Sequence, residues 1–398
     1  MNILINDHAG HPFQVELSRS LASRGHRVLH TFTGDLQTPR GALQRREGDP
    51  ETFDVEPLVL SKSFNRYGLV QRFMQERELG HCLQAKVRSF RPDVVISANT
   101  PLGAQAMLVG ACASAGACFV FWLQDMLGVG IRNNLMKKLP VVGTVIGRYY
   151  IGLENTLLKK SRAVVVITED FAPIVEKAGV HEKDIHVIHN WAPLHEVPVL
   201  DKNNDWSRAH GLEKTFNFIY SGTLGMKHNP GLLVELARSL TSAANVRLVV
   251  ISEGLGAEYL AEQKRALGLN NLMLLPFQPF DQVPQVQAAA DVLVAILEPD
   301  AGVFAVPSKV LTYMCAKRPL LLAVPQENLA ARIVKNSRAG VVVAPDDARG
   351  FIENAHNLMQ NRNLRDSMAD KGRKYAETHF NIDRITDRFE EILSRLSA

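Results

Sequence analysis

An α/β fold of two doubly wound parallel sheets is predicted by three observations. Short apolar, β-branched runs alternate with helix-period segments along most of the chain. The runs are apolar on both faces, as strands covered by helices on both sides must be. A polar, proline-containing stretch near the middle interrupts the alternation. The first set of runs is 2–5, 27–31, 93–97, 118–123, 163–167 and 186–188; the second is 216–221, 247–251, 272–275, 291–296, 320–324 and 340–343. Between them lie segments such as 13–24, where Phe13, Leu17 and Leu21 recur at helical spacing. The break falls near 191–214, and residues 195–205 read as a linker. Domains of 1–196 and 197–379 follow, with a closing helix in 380–398 that is expected to pack back on the first. That helix carries Ile382, Ile385, Phe389, Ile392 and Leu396 on one face.

Composition narrows the function classes. The 398 residues are 46% hydrophobic and 22% charged, which fits a globular chain of two or three domains. A net charge of +4, spread along the sequence, excludes nucleic acid as the main ligand. Cys82, Cys112, Cys118 and Cys315 form no CxxC pair, so neither a disulfide framework nor a structural zinc site is indicated, and a reduced, cytoplasmic setting fits. The start, Met1-Asn2-Ile3-Leu4-Ile5-Asn6-Asp7, reads as a strand and not as a signal peptide. Residues 101–123 carry no formal charge and are long enough to span a bilayer. Gly116 divides them, however, into an Ala- and Gly-rich part and the strand-like run 118–123, so a buried helix followed by a central strand is expected.

In doubly wound sheets ligands bind outside the carboxyl ends of the strands, so the loops there are the places to search. In the first domain Asp7-His8-Ala9-Gly10-His11-Pro12 joins strand to helix, and Gly10 permits a tight turn with close backbone approach to a ligand. An ordinary strand–helix turn fits this loop equally well. It is not a GxGxxG fingerprint, which argues against a hydride-transfer cofactor. Asp125, just past the strand 118–123, is placed either to accept a proton from an acceptor hydroxyl or hold a sugar hydroxyl, or to cap the next helix.

The second domain is more informative. Phe218 to Pro230 runs strand, glycine loop at Gly222, cation at Lys227, then helix start, with Asn229 as cap and Pro230 in the first helical position. Pro307-Ser308-Lys309 opens another helix with a cation in its first turn, an unfavourable place unless an anion is near. Two such sites suit a diphosphate. Ser252-Glu253-Gly254-Leu255-Gly256 completes the rim, its glycines allowing a base or ribose to lie against backbone. There is no GxxxxGK[ST], HExxH or GxSxG, and no Asp-x-Asp pair to hold a divalent metal. Neutralisation of a leaving diphosphate then falls to lysines and helix dipoles, with no metal or other cofactor.

In this order the motifs resemble the family 4 (group 1) retaining glycosyltransferases of the GT-B fold, over essentially the whole chain. The resemblance is greatest to the branch that builds bacterial surface polysaccharides (O-antigen, capsule or exopolysaccharide), including fucosyl- and N-acetylfucosaminyl-type transferases. It rests on Gly10, Leu17 to Val28, Arg91-Pro92-Asp93-Val94-Val95, Trp122-Leu123-Gln124-Asp125, Ile167 to Phe171 and Ile188-His189-Asn190-Trp191. It continues through Tyr220-Ser221-Gly222 with Lys227, Pro307-Ser308-Lys309, Tyr313 and Arg318-Pro319. It implies a nucleotide-sugar donor, a UDP-sugar foremost, bound mainly by the second domain, and an acceptor bound mainly by the first. Carried over, Lys227 contacts the donor diphosphate and stabilises its developing charge. Ser308, Lys309 and Gly222 line the same pocket, with Glu253, Gly254 and Thr312 on the nucleotide side. Asp125 lies near the reacting sugar, and Gly10 beside the diphosphate or acceptor.

Two glutamates eight positions apart, frequent in relatives, read here as Phe304 and Thr312; Thr223 follows Gly222 where an arginine is frequent, and Lys317 replaces a glycine. A nucleotide-sugar epimerase and a catalytically silent nucleotide-sugar-binding protein therefore stand as alternatives. Residues 132–150 mix basic, aliphatic and aromatic side chains, a composition suited both to an anionic membrane surface and to an internal helix pair. On the membrane reading the protein is peripheral at the cytoplasmic face and its acceptor is a polyprenyl-diphosphate-linked glycan.

Overall fold

A computed structural model of the chain describes residues 1–34, 43–62, 69–138, 140–299, 302 and 307–396, without the side chains of 69, 70, 134, 137, 138, 140, 142 and 227. Phe304 lies outside the described residues. The chain forms two compact units, Met1–Asn190 with Ile382–Ala398, and Trp191–Asn381.

The first unit is built on a seven-stranded parallel sheet of β1 (Asn2–Asp7), β2 (Arg27–Thr33), β3 (Phe53–Leu58), β4 (Val94–Ala98), β5 (Cys118–Leu123), β6 (Ala163–Val166) and β7 (Ile185–Val187). The order is β3-β2-β1-β4-β5-β6-β7, so the winding reverses between β1 and β4. Helices α1 (Pro12–Ser23), α2 (Leu69–Phe90), α3 (Leu102–Ala115), α4 (Leu127–Lys138), α5 (Pro140–Lys160) and α6 (Ala172–Lys177) connect the strands. The central strands are apolar throughout because helices cover both faces: Ile3, Leu4, Ile5, Val95, Ile96, Val164, Val165 and Val166 are fully buried.

Residues 101–123 fold as α3 and β5, separated by Gly116 in the left-handed conformation. Among the described residues no helix is long and apolar enough to cross a membrane. β3 is absent from the runs read in the sequence. It is an edge strand, partly exposed and holding Pro57, so it lacks the two-sided apolar signature of its neighbours.

The second unit carries a six-stranded parallel sheet of β8 (Phe216–Ser221), β9 (Val246–Ile251), β10 (Leu272–Leu275), β11 (Val292–Ile296), β12 (Leu320–Ala323) and β13 (Gly340–Val343), in the order β10-β9-β8-β11-β12-β13. Its reversal lies between β8 and β11. Around it run α7 (Asp205–Ala209), α8 (Gly231–Ser239), α9 (Leu255–Leu267), α10 (Val283–Ala288), α11 (Lys309–Cys315), α12 (Leu329–Ser337), α13 (Ala348–Gln360) and α14 (Arg362–His379). Phe218, Tyr220, Leu236, Leu248, Val294 and Phe351 anchor the core.

The stretch read as a linker is instead strapped to this unit. Val197 is buried, Arg373 donates to the Val197 carbonyl at 3.3 Å, Arg318 donates to the Leu200 carbonyl at 3.1 Å, and Lys202 pairs with Asp291 at 2.5 Å. Polarity there reflects backbone carbonyls and charges that are matched by half-buried partners, not freedom.

The closing helix α15 (Ile382–Leu396) belongs to the first unit. Its Phe389 packs edge-on against Trp122 with ring centres 5.0 Å apart. Arg24 at the end of α1 binds Asp387 at 2.5 Å and Glu390 at 2.6 Å, and Thr386 donates to Ser20 at 2.8 Å.

Candidate functional site

In the second unit the carboxyl end of β8 lies at the reversal of the sheet, where open α/β sheets leave a crevice. Tyr313 of α11 clamps that end. Its hydroxyl accepts from the Ser221 N–H at 3.1 Å and donates to the Ser221 carbonyl at 3.2 Å. The next residue, Gly222, has φ +129°, a conformation that side chains disfavour. Lys309, the first residue of α11, lays its ammonium 3.8 Å from the centre of the Tyr220 ring. A Cβ on Gly222 would stand 3.0 Å from that nitrogen, so the ammonium sits directly against the glycine backbone.

The Lys309 ammonium makes no hydrogen bond or ion pair among the described residues, and burial pushes its pKa down to about 7. Burial pushes the Tyr220 and Tyr313 phenols up, so both rings stay neutral. The result is a half-buried cation whose compensation among the described residues is a π face. Such a site favours an arriving anion.

The other expected donor residues surround it unevenly. Thr312 donates to the Lys309 carbonyl and accepts from the Gln287 amide, both at 2.9 Å, so its hydroxyl braces α11. Ser308 precedes α11, exposed and without a capping bond. α11 is only seven residues long, and its lysine, expected in an unfavourable place beside an anion, is held by the Tyr220 ring. Glu253 accepts from the Phe277 N–H at 3.1 Å, and Gly254, with φ +88°, opens α9.

Lys227 lies in a 3-10 turn, Met226–His228, and its side chain is outside the description. Asn229 and Pro230 depart from expectation. Asn229 ends that turn in the left-handed conformation (φ +57°), and Pro230 stands just before α8 instead of inside it. The extra turn detaches the lysine from the helix start.

In the first unit Gly10 has φ +77°, and its N–H donates to the Asp7 carbonyl at 3.2 Å. That turn wraps the Asp7 carboxylate, which is fully buried and accepts the Ala9 N–H at 3.1 Å and the His11 N–H. The Gln14 amide, oriented to satisfy both partners, donates to the two carboxylate oxygens at 2.7 and 2.8 Å. Burial opposes the Asp7 charge, but the facing His11 and His30 more than offset it and hold the carboxyl below its usual range.

His11 Nδ1 lies 3.4 Å from the same carboxylate. Burial works against its protonation, yet Asp7, with a contribution from Asp125, raises its pKa. Asp125 is exposed just past β5, and its charge also reaches Glu154 of α5. Sequence reasoning chose Gly10 from this loop, gave its two histidines little weight and passed over Asp7. The available signal was the four-residue spacing of an acid and a histidine across a strand–helix turn.

Comparison with known proteins follows the same division. Residues 11–191 match the family described as the glycosyl transferase 4-like domain, and residues 202–375 match that described as glycosyl transferases group 1. No curated protein matches the chain. Solved structures resemble it over nearly full length. One is the HepE protein of Anabaena in complex with UDP-glucose, at 18% identity and a TM-score of 0.71, covering 99% of this chain and 100% of that one. Another is the sucrose-phosphate synthase of Thermosynechococcus elongatus, at 12% identity and 0.73, covering 100% and 99%. A third is WaaG, a glycosyltransferase involved in lipopolysaccharide biosynthesis, at 16% identity and 0.68, covering 97% and 98%. With both sheets wound as GT-B domains and the two matched segments accounting for most of its length, the chain belongs to the group 1 glycosyltransferases.

Proposed function

We propose that the protein transfers a sugar from a nucleotide-diphosphate sugar, a UDP-sugar foremost, to a glycan acceptor with retention of anomeric configuration and without a metal ion. The observation that carries this reading is the Lys309 ammonium, half-buried on the Tyr220 ring with no carboxylate partner among the described residues and pressed against Gly222 at the switch point of the second sheet. A diphosphate is the ligand whose charge such a site compensates, and Gly222 lets it approach backbone. HepE, similar in fold, was solved with UDP-glucose. Lys227 is assigned to the same diphosphate, where two cations stabilise the charge that develops as the leaving group departs. Asp125 is assigned to the reacting sugar.

The acceptor in this proposal is a polyprenyl-diphosphate-linked glycan of surface-polysaccharide biosynthesis, reached from the cytoplasmic face of a membrane by a peripheral protein. Support comes from α5, where Val141, Val145 and Tyr149 recur every four residues and are 80%, 66% and 65% exposed. Arg148 lies beside them in sequence, and Met136 of α4 is also exposed. An outward apolar stripe with basic neighbours suits an anionic lipid surface.

Calorimetry with UDP-glucose, in EDTA and in magnesium, tests the donor half. Metal-independent heat that disappears in Lys309→Ala is expected. Absence of heat with UDP-glucose and with UDP, or heat only with magnesium, overturns the reading.

A further inference from the structure

At the carboxyl ends of three adjacent strands of the first unit, β1, β4 and β5, the connecting segments gather around the His11 ring. Asp7 ends β1, Asn99 follows β4, and Asp125 follows β5. This is the first sheet's own switch point. Asn99 is held in the left-handed region (φ +56°), uncommon for a residue with a side chain, and its amide stands 3.4 Å from His11 Nδ1. The Phe13 ring lies 5.6 Å from the imidazole, centre to centre.

The ionised Asp7 carboxylate can only accept a hydrogen bond, so the hydrogen of the facing ring nitrogen belongs on Nδ1, and the Asn99 amide nitrogen near the same atom packs against the ring without donating to it. The lone pair of the neutral ring is then on Nε2. That nitrogen makes no hydrogen bond among the described residues, and the side chain is 29% exposed. A buried acid has therefore been used to fix the tautomer and orientation of a ring whose other nitrogen is open.

We propose that His11 is an acceptor-binding residue, its Nε2 accepting the hydrogen of the acceptor sugar's reacting hydroxyl while Asp7 and Asn99 position the ring. The proposal rests on the reading of the chain as a sugar transferase whose acceptor lies on the first unit. A hydroxyl held by its hydrogen turns its oxygen lone pairs away from the ring, free to meet an electrophilic carbon. The charged groups that act on His11 are Asp7 from β1 and Asp125 after β5; His30 of β2 acts in turn on Asp7 and is itself pushed down to about 4 by burial.

Ring NMR of the full chain, with histidine labelled at Cε1, tests the assignment. The His11 signal is the one missing from His11→Gln. A ligand that donates to Nε2 binds only the neutral ring and so lowers the pH midpoint of its titration. Methyl β-D-glucopyranoside at three times its dissociation constant, added with saturating UDP, is expected to lower that midpoint by about 0.6 pH unit. Without sugar, Asp7→Asn lowers the midpoint, because the charge that raises it is gone. Should that variant not fold, Asn99→Ala supplies the second comparison, weakening the glucoside effect by disturbing the ring's position. A midpoint that the glucoside leaves unchanged or raises overturns the proposal. Failure of UDP itself to bind, read separately as heat, overturns the transferase reading instead.

Discussion

Lys309 and Tyr220 form a cation–π pair, 3.8 Å from ammonium to ring centre, and burial leaves the ammonium with a pKa of about 7. The ammonium then loses its charge around neutral pH instead of far above it. A diphosphate binds the charged form, so binding draws in a proton above pH 7. The pyrophosphate of UDP-glucose keeps a constant charge over this range, which isolates the lysine. Its association constant is expected to fall between pH 7 and 9 by up to about tenfold per unit. Calorimetry across that range, repeated in buffers of different ionisation enthalpy, reads both the fall and the proton uptake. In Lys309→Met the fall is absent and affinity is low at every pH. The same variant raises the stability of the unliganded protein by on the order of 1 kcal/mol, because a desolvated charge with no anionic partner among the described residues is removed.

Gly222 answers to both backbone and site. At φ +129° an alanine is strained by roughly 1–3 kcal/mol, and its Cβ would stand 3.0 Å from the Lys309 nitrogen. The lysine is the flexible partner and gives way, leaving the Tyr220 ring. Gly222→Ala is expected to lower the urea midpoint of the second unit and to weaken UDP-glucose binding at least tenfold. Ala substitution at Gly110, where no heavy atom lies within 4 Å of the new Cβ, is the control that leaves binding unchanged.

Strands that are helix-covered on both faces announce themselves, which is why Val94 to Ala98 and Leu320 to Ala323 were legible as buried runs, while the edge strand with Glu56 and Pro57 was not. At the sites the legible part was the loop chemistry: Gly10, Gly222 and Lys309 all occupy carboxyl ends of strands or the connections that follow them. Partnerships across sequence were hidden. Nothing near Lys309 in the chain signals that Tyr220 will lie beneath its ammonium, since the pair is formed by the adjacency of β8 and β11 in the sheet. Asn99 meets His11 for the same reason, through the pairing of β1 with β4. Local chemistry can be read residue by residue, but the uncompensated charge and the oriented ring are properties of the wound sheet.

Glu154 sets a pH dependence of stability in the first unit. The residue is 3% exposed, its carboxyl accepts the Gly128 N–H at 3.1 Å, and its other oxygen has no partner among the described residues. Burial is the main cause that raises its pKa, from 4.5 to about 7. The folded state therefore holds this proton more tightly than the unfolded state. The stabilisation is fully present below pH 4.5 and is lost as pH rises to about 7, by on the order of 3 kcal/mol. Glu154→Gln, which keeps an acceptor for Gly128, is expected to flatten the stability profile over this window. Urea titrations at pH 5 and pH 8 read the difference, and equal slopes in the two proteins argue against a buried neutral carboxyl.

The exposed stripe of α5 is open to a direct test. Val141, Val145 and Tyr149 project from one face. Inserting each aliphatic or aromatic side chain into the interfacial zone contributes about 1–2 kcal/mol, and each basic residue near anionic lipid about 1 kcal/mol. Flotation with vesicles containing phosphatidylglycerol is expected to carry the protein upward, with recovery falling as salt is raised. Replacing Val141, Val145 and Tyr149 together by serine is expected to reduce binding by at least 100-fold while leaving UDP-glucose heats unchanged, since these side chains are solvent-exposed and lie in the other unit from Lys309. Equal flotation of the triple variant and the parent assigns lipid binding to another surface. No flotation of either removes the membrane from the proposed function and leaves the transferase chemistry at Lys309 standing.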